Sequence, residues 1–105
     1  MDSEDEIIER ALAGDQAAFG RLVQTYQAPV YNLAYRMLGS AGEAEEAAQE
    51  AFLRAYRRLD TYRPGCKFSS WLLAIAAHYC VDRLRRRRIV SVALDEAPEA
   101  DVATP

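Results

Sequence analysis

The chain has 105 residues, of which half are hydrophobic and 28% are charged, a composition and length that suit one globular domain with a single core. No apolar run approaches the roughly 20 residues that cross a membrane, and the start, MDSEDEIIER, is too acidic for an export signal, so we expect a cytoplasmic protein. The net charge of −3 conceals a basic block, because residues 61–88 carry seven Arg or Lys against one Asp between two acidic segments.

Start and stop signals for helices recur along the first part of the chain. A capping box at Ser3 opens a first helix, Gly14 ends it, and Asp15 can cap a second. Pro29 either kinks this second helix or lies in the first turn of a new one, which then closes at Gly39. These signals, with no convincing strand pattern, predict an all-α fold, a compact bundle of four to five helices.

The second part of the chain continues the helical pattern up to a change in composition. A further capping box, Ser40 with Glu43, opens a helix that runs to about Leu59. The loop DTYRPGCK follows, and the next helix ends in four arginines. Helical periodicity is lost beyond them, so we predict a helical domain over residues 1–88 and an acidic linker or disordered tail over residues 89–105.

The helix that follows the second capping box has two faces on a helical wheel. One is a core stripe of alanines with Phe52, and the other mixes charged side chains with a single leucine. This mixed face consists of Glu46, Gln49, Glu50, Leu53, Arg54 and Arg57. Leu53 is either one more exposed leucine, which is common in proteins, or the centre of a docking surface oriented by charges.

The last helix, FSSWLLAIAAHYCVDRLRRRR, is apolar on two opposite sides. One stripe is aromatic, with Phe68, Trp71 and Tyr79, and it continues into arginines and the preceding loop. Rings that stack on unpaired bases and guanidinium groups that hold phosphates are what single-stranded nucleic acid requires. The alternatives are that each ring is an ordinary core residue and that the arginines are a solvated helix end.

The residues that could carry other chemistry are few. Cys66 and Cys80 are expected to be reduced thiols, and with His78 they lack a fourth ligand and any standard metal-site spacing. A single histidine and the absence of a glycine-rich phosphate loop argue against an enzyme. We therefore expect no catalytic residues, no metal and no cofactor.

Two motifs, AGEAEEAAQEAFLRAYRRL and the last helix, occur in an order and spacing that resemble the second conserved region of bacterial sigma factors, most closely the extracytoplasmic-function group. The resemblance implies a sigma region 2-like fold and a role in transcription initiation. The first motif of this family docks on the clamp-helix coiled coil of the largest RNA polymerase subunit. Carried over, that role falls on the mixed face.

The second motif of the family, with the loop before it, recognises and melts the promoter −10 element by capturing unpaired non-template bases. The residues that match it here are Tyr62, Arg63, Cys66, Lys67, Phe68, Ser69, Trp71, Ala76, His78, Tyr79, Asp82 and Arg83, with Arg85, Arg86, Arg87 and Arg88 on the DNA backbone. His78 replaces an Arg-Asn or similar pair of many relatives.

The partners that the resemblance implies are the RNA polymerase core, promoter DNA and an anti-sigma factor. Relatives carry a second helical domain that reads the −35 element, so we expect an isolated domain or a short form. The alternative is a helical protein-interaction module or antagonist that does not read DNA. A repressor with a helix-turn-helix fits less well, because the loop DTYRPGCK is long for its tight turn.

Overall fold

The computed structural model describes residues 3–96, with the side chains of residues 3–94. Four α-helices and one short 3₁₀ helix follow in chain order: α1 (Glu4–Leu12), α2 (Gln16–Leu38), α3 (Ala41–Arg57), the 3₁₀ helix (Leu59–Thr61) and α4 (Phe68–Glu96). The predicted all-α bundle of four to five helices is therefore confirmed. No helix in the described part of the chain is long and apolar enough to cross a membrane.

The helix boundaries follow the signals read from the sequence. The Ser3 hydroxyl accepts a hydrogen bond from the Glu6 N–H at 3.2 Å, and the Glu6 carboxylate accepts one from the Ser3 N–H at 2.9 Å. The Asp15 carboxylate caps α2, and Gly39 ends it in the left-handed conformation (φ 80°) that glycine adopts without strain. Local side-chain chemistry thus sets these ends.

Pro29 lies inside α2, which is one continuous helix. Proline removes a backbone N–H donor, but Pro29 is itself exposed while its neighbour Val30 is fully buried. Packing on the buried side therefore holds both halves in a single helix. Of the two predicted interpretations, the one without a new helix is correct.

The core face of α3 is built mainly from alanines. Ala44, Ala47, Ala51 and Ala55 have no exposed surface. Larger buried side chains on the neighbouring helices complete the core, among them Leu22 and Val30 of α2 and Phe68, Leu72 and Ile75 of α4. Because the alanine side chains are small, α2 and α4 pack closely against α3.

We predict that Ala51→Leu lowers the free energy of unfolding by roughly 1–3 kcal/mol, since no space exists for the added atoms beside a fully buried methyl group. Urea unfolding followed by circular dichroism measures this. Ala41→Leu, at an exposed position in the first turn of the same helix, is the matched control and should change stability little. Equal effects of both substitutions would contradict the close packing of α3.

The last helix differs from its prediction in length. α4 continues to Glu96, whereas helical periodicity was expected to end at Arg88. The sequence did not predict this extension because the segment has no buried face, and without one its hydrophobic residues show no helical periodicity. Its apolar side chains are all exposed, namely Ile89, Val90, Val92 and Leu94. Residues 97–105 of the predicted tail lie outside the described residues, and the division into domain and tail stays a prediction.

Candidate nucleic-acid and docking surfaces

A groove with a volume of about 1040 Å³ runs between α2 and α3. Gln49 and Leu53 of the mixed face line it, and Leu53 is 49% exposed beside Phe52 and Tyr56. The opposite wall was not predicted and comes from polar and aromatic residues of α2, namely Gln24, Gln27, Tyr31 and Asn32. Their spacing on one side of α2 was the only available sequence signal. An apolar floor with polar walls suits the docking of a helical or extended protein segment.

Other members of the mixed face contact α4 instead of the groove. The Arg54 Nε lies 3.2 Å from Glu50 Oε2, and the Arg54 guanidinium lies 5.0 Å from the centre of the Tyr79 ring. The Glu46 Oε1 accepts a hydrogen bond of 2.8 Å from Arg83. Arg57 is exposed near the end of α3. The structure therefore divides the mixed face between a groove and an α3–α4 contact.

An ion cluster joins the start of α3 to the second half of α4. It comprises Glu43, Glu46, Tyr79, Arg83 and Arg87. Arg83 lies 4.0 Å from the Glu43 carboxylate and donates to the Tyr79 hydroxyl at 3.1 Å, while Arg87 contacts the same Glu43 oxygen. The hydrogen bond to Glu46 is the main cause of a raised Arg83 pKa. Two arginines predicted to bind DNA are thus paired with acids of their own chain.

The other arginines of α4 do not belong to this cluster. Arg85 lies 3.9 Å from Asp82, with 68% of its side chain exposed. Arg86 and Arg88 are exposed and form no ion pair within the described part of the chain. These three arginines are exposed and are not paired with the acids of the ion cluster, so a polyanion can reach them.

The aromatic residues near the start of α4 form a cluster with one another. The ring centres of Tyr62, Phe68 and Trp71 are 5.3 to 5.5 Å apart, and Tyr26 lies 5.7 Å from Phe68. The Tyr62 hydroxyl donates to the Cys66 carbonyl, and burial raises the pKa of Tyr62. The cluster therefore ties the loop to the helix.

Burial corrects part of the predicted DNA-binding set. Tyr62, Phe68 and Ala76 are 6%, 3% and 0% exposed, so their side chains lie in the core and are not available for direct contact with bases. The wheel did not separate core from surface here, because the buried line of α4 takes members from both of its apolar stripes. Ser69, half-buried, lies on another side of α4 from Trp71.

Four of the predicted residues of α4 form an outer strip. Counted from Trp71, about two, three and four helical turns lead to His78, Asp82 and Arg85. The four residues therefore lie on one side of the helix. All four are exposed or half-buried. The strip combines one large ring with polar and basic groups, which suits contact with an unpaired strand.

The loop before α4 faces a smaller pocket of about 470 Å³. Cys66 and Lys67 line it together with Asp5 and Glu9 of α1. Arg63, Cys66 and Lys67 are exposed, and Gly65 takes a φ of 107° that favours glycine in this turn. The contribution of α1 was not predicted, because no sequence pattern links a helix to a loop some fifty residues later.

The chain is similar in sequence to a known protein family. The Sigma-70 region 2 family model matches residues 22–89. The chain is 46% identical over 81 residues to the ECF RNA polymerase sigma factor SigW of Bacillus subtilis, a match that covers 77% of this chain and 43% of SigW. The chain thus spans less than half the length of that relative.

Two solved structures are similar in fold. An engineered region 2 of sigmaE, solved by NMR in complex with GTAAAA, has a TM-score of 0.74 and 37% identity, covering 93% of this chain and 95% of that one. A chain of the RsbN–BldN complex has a TM-score of 0.69 and 35% identity, covering 88% of this chain and 64% of its own.

Proposed function

Because this chain belongs to the Sigma-70 region 2 family, we propose that it docks on RNA polymerase and captures unpaired bases of the promoter −10 element. It is region 2 of an extracytoplasmic-function sigma factor and not an enzyme. The observation that carries the proposal is the similarity, over nearly the whole of both chains, to a region 2 that binds the strand GTAAAA. A protein with these two ligands acts in the cytoplasm.

We assign DNA binding to the outer strip of α4 and the loop before it. Trp71 offers a ring for stacking, which contributes roughly 1–3 kcal/mol per base. Arg85, Arg86 and Arg88 offer exposed guanidinium groups to the backbone, and an unstacked base enters the pocket beside Cys66 and Lys67. Trapping a base in this way offsets the cost of opening the duplex.

We assign polymerase docking to the groove between α2 and α3. Leu53 and Tyr56 are exposed large side chains there, and Gln24, Gln27 and Gln49 provide polar groups around them. This groove and the outer strip use different residues, so both ligands can bind together. A protein antagonist is a further proposed partner, since BldN is found in a complex with RsbN.

We predict that the domain binds fluorescent −10 non-template strands in a sequence-dependent manner. The slope of log affinity against log salt should correspond to only a few phosphates, at about −0.7 per phosphate for single strands. Anisotropy titrations at two salt concentrations, with a scrambled strand as the control, measure both quantities. Equal binding of all strands, or none, would favour the alternative of a protein-interaction module that does not read DNA.

A further inference from the structure

The ion cluster places acidic side chains against arginines of the basic run. Arg83 and Arg87 lie one turn apart on α4, and the Glu43 oxygen that contacts Arg87 also lies 4.0 Å from the Arg83 Nε. Carboxylate and phosphate oxygens accept hydrogen bonds from the same guanidinium N–H groups. A phosphate that binds Arg87 must therefore displace Glu43, whereas one that binds the Arg83 NH1 group must displace Glu46, which accepts from it at 2.8 Å.

The Glu43 carboxylate also does not accept the capping-box hydrogen bond from the Ser40 N–H that its place in α3 would allow. The Ser40 hydroxyl caps α3 by accepting from the Glu43 N–H at 3.3 Å, as predicted. In α1 the matching Glu6 carboxylate accepts a hydrogen bond from the Ser3 N–H, but in α3 only the bond from the Glu43 N–H to Ser40 is present. Glu43 instead points to α4, so the predicted second capping box is incomplete because the arginines bind its carboxylate.

We propose that Glu43 competes with DNA phosphates for Arg87, and at longer range for Arg83, and so limits the affinity of α4 for the DNA backbone without changing which bases are read. The inference rests on the proposed contact between α4 and DNA. Side chains on both sides of these pairs are about one third to one half exposed. Ion pairs so exposed are weak, so phosphates can displace Glu43, at a cost that lowers the affinity.

The test compares two substitutions that remove one negative charge from α3. Glu43→Gln keeps the length of the side chain and can still form a capping box. Glu45→Gln is the matched control, because Glu45 lines the groove between α2 and α3 and pairs with neither arginine. Binding of a −10 strand and of a scrambled strand of equal length is measured over a range of salt. Thermal unfolding checks that each variant is folded.

We expect Glu43→Gln to bind both strands about three- to tenfold more tightly than Glu45→Gln at low salt. Its salt slope should be steeper by about 0.7 to 1.4, which corresponds to one or two additional phosphates. The ratio of affinities for the two strands should not change. A purely structural role for Glu43 would not increase the salt slope.

A double-mutant cycle identifies the arginine involved. Arg87→Gln alone should change binding less than Arg86→Gln, because Glu43 already contacts Arg87 whereas Arg86 has no ion pair within residues 3–94. In Glu43→Gln/Arg87→Gln most of the gain should be lost.

Equal affinities and slopes for Glu43→Gln and Glu45→Gln would overturn the inference. If the wild-type domain binds both strands equally but Glu43→Gln still gains affinity and slope, the proposed base reading fails and the inference holds. If no variant binds either strand, both fail.

Discussion

Replacing Leu53 by Asp is expected to weaken binding of the domain to the RNA polymerase core by about 30-fold or more. Leu53 is half exposed in the groove between α2 and α3, beside Phe52 and Tyr56. A few central residues of an interface cost about 2 kcal/mol or more when they are truncated, and here a carboxylate is also buried without a partner. Biolayer interferometry with immobilised core enzyme measures the affinity.

Leu94→Asp is the matched control, because Leu94 is 69% exposed near the far end of α4. It makes the same chemical change outside the groove and should leave polymerase binding unaltered. Leu53→Asp should also bind the −10 strand as the wild type does. If Leu53→Asp lost both ligands while remaining folded, the assignment of separate surfaces would be wrong.

Replacing Trp71 by Ala is expected to weaken binding of the −10 strand by about 5- to 150-fold, which corresponds to roughly 1–3 kcal/mol. Trp71 is the half-buried ring of the outer strip and the only tryptophan of the chain. Its fluorescence in the wild type should therefore change on titration with the strand, a direct report of stacking. Anisotropy of a labelled strand gives the affinity of the variant.

Trp71 also packs against Tyr62 and Phe68, so its loss lowers stability as well. Phe68→Leu separates the two effects, because Phe68 belongs to the same aromatic cluster but is buried. This control should destabilise the domain and leave affinity for DNA nearly unchanged at a temperature where it is folded. Unchanged affinity of folded Trp71→Ala would remove the stacking role.

The parts of the fold that were predictable depend on local chemistry. Ser3, Asp15 and Gly39 act within a few residues of their own position, so their roles follow from the sequence. The path through Pro29 and the extension of α4 beyond Arg88 do not. The first depends on burial of Val30 by other helices, and the second concerns a segment without a buried face.

The candidate surfaces were predictable to a similar degree. The mixed face was found from its charges, and Leu53 does line a groove. Periodicity could not show that Phe68 is buried while Trp71 is half exposed, since both belong to the same aromatic stripe. Nor could it show that Glu43 contacts Arg87, because that pair depends on how two helices cross.

Because α4 is one continuous helix, its length fixes the distance between its two ends. From Trp71 to Glu96 the helix advances about 37 Å, at about 1.5 Å per residue. In B-DNA this distance corresponds to about 11 base pairs, at about 3.4 Å per pair. If a longer chain continues beyond α4, the next segment therefore starts about 37 Å from Trp71, which under the proposed function is about one turn of duplex from the base that stacks on this ring.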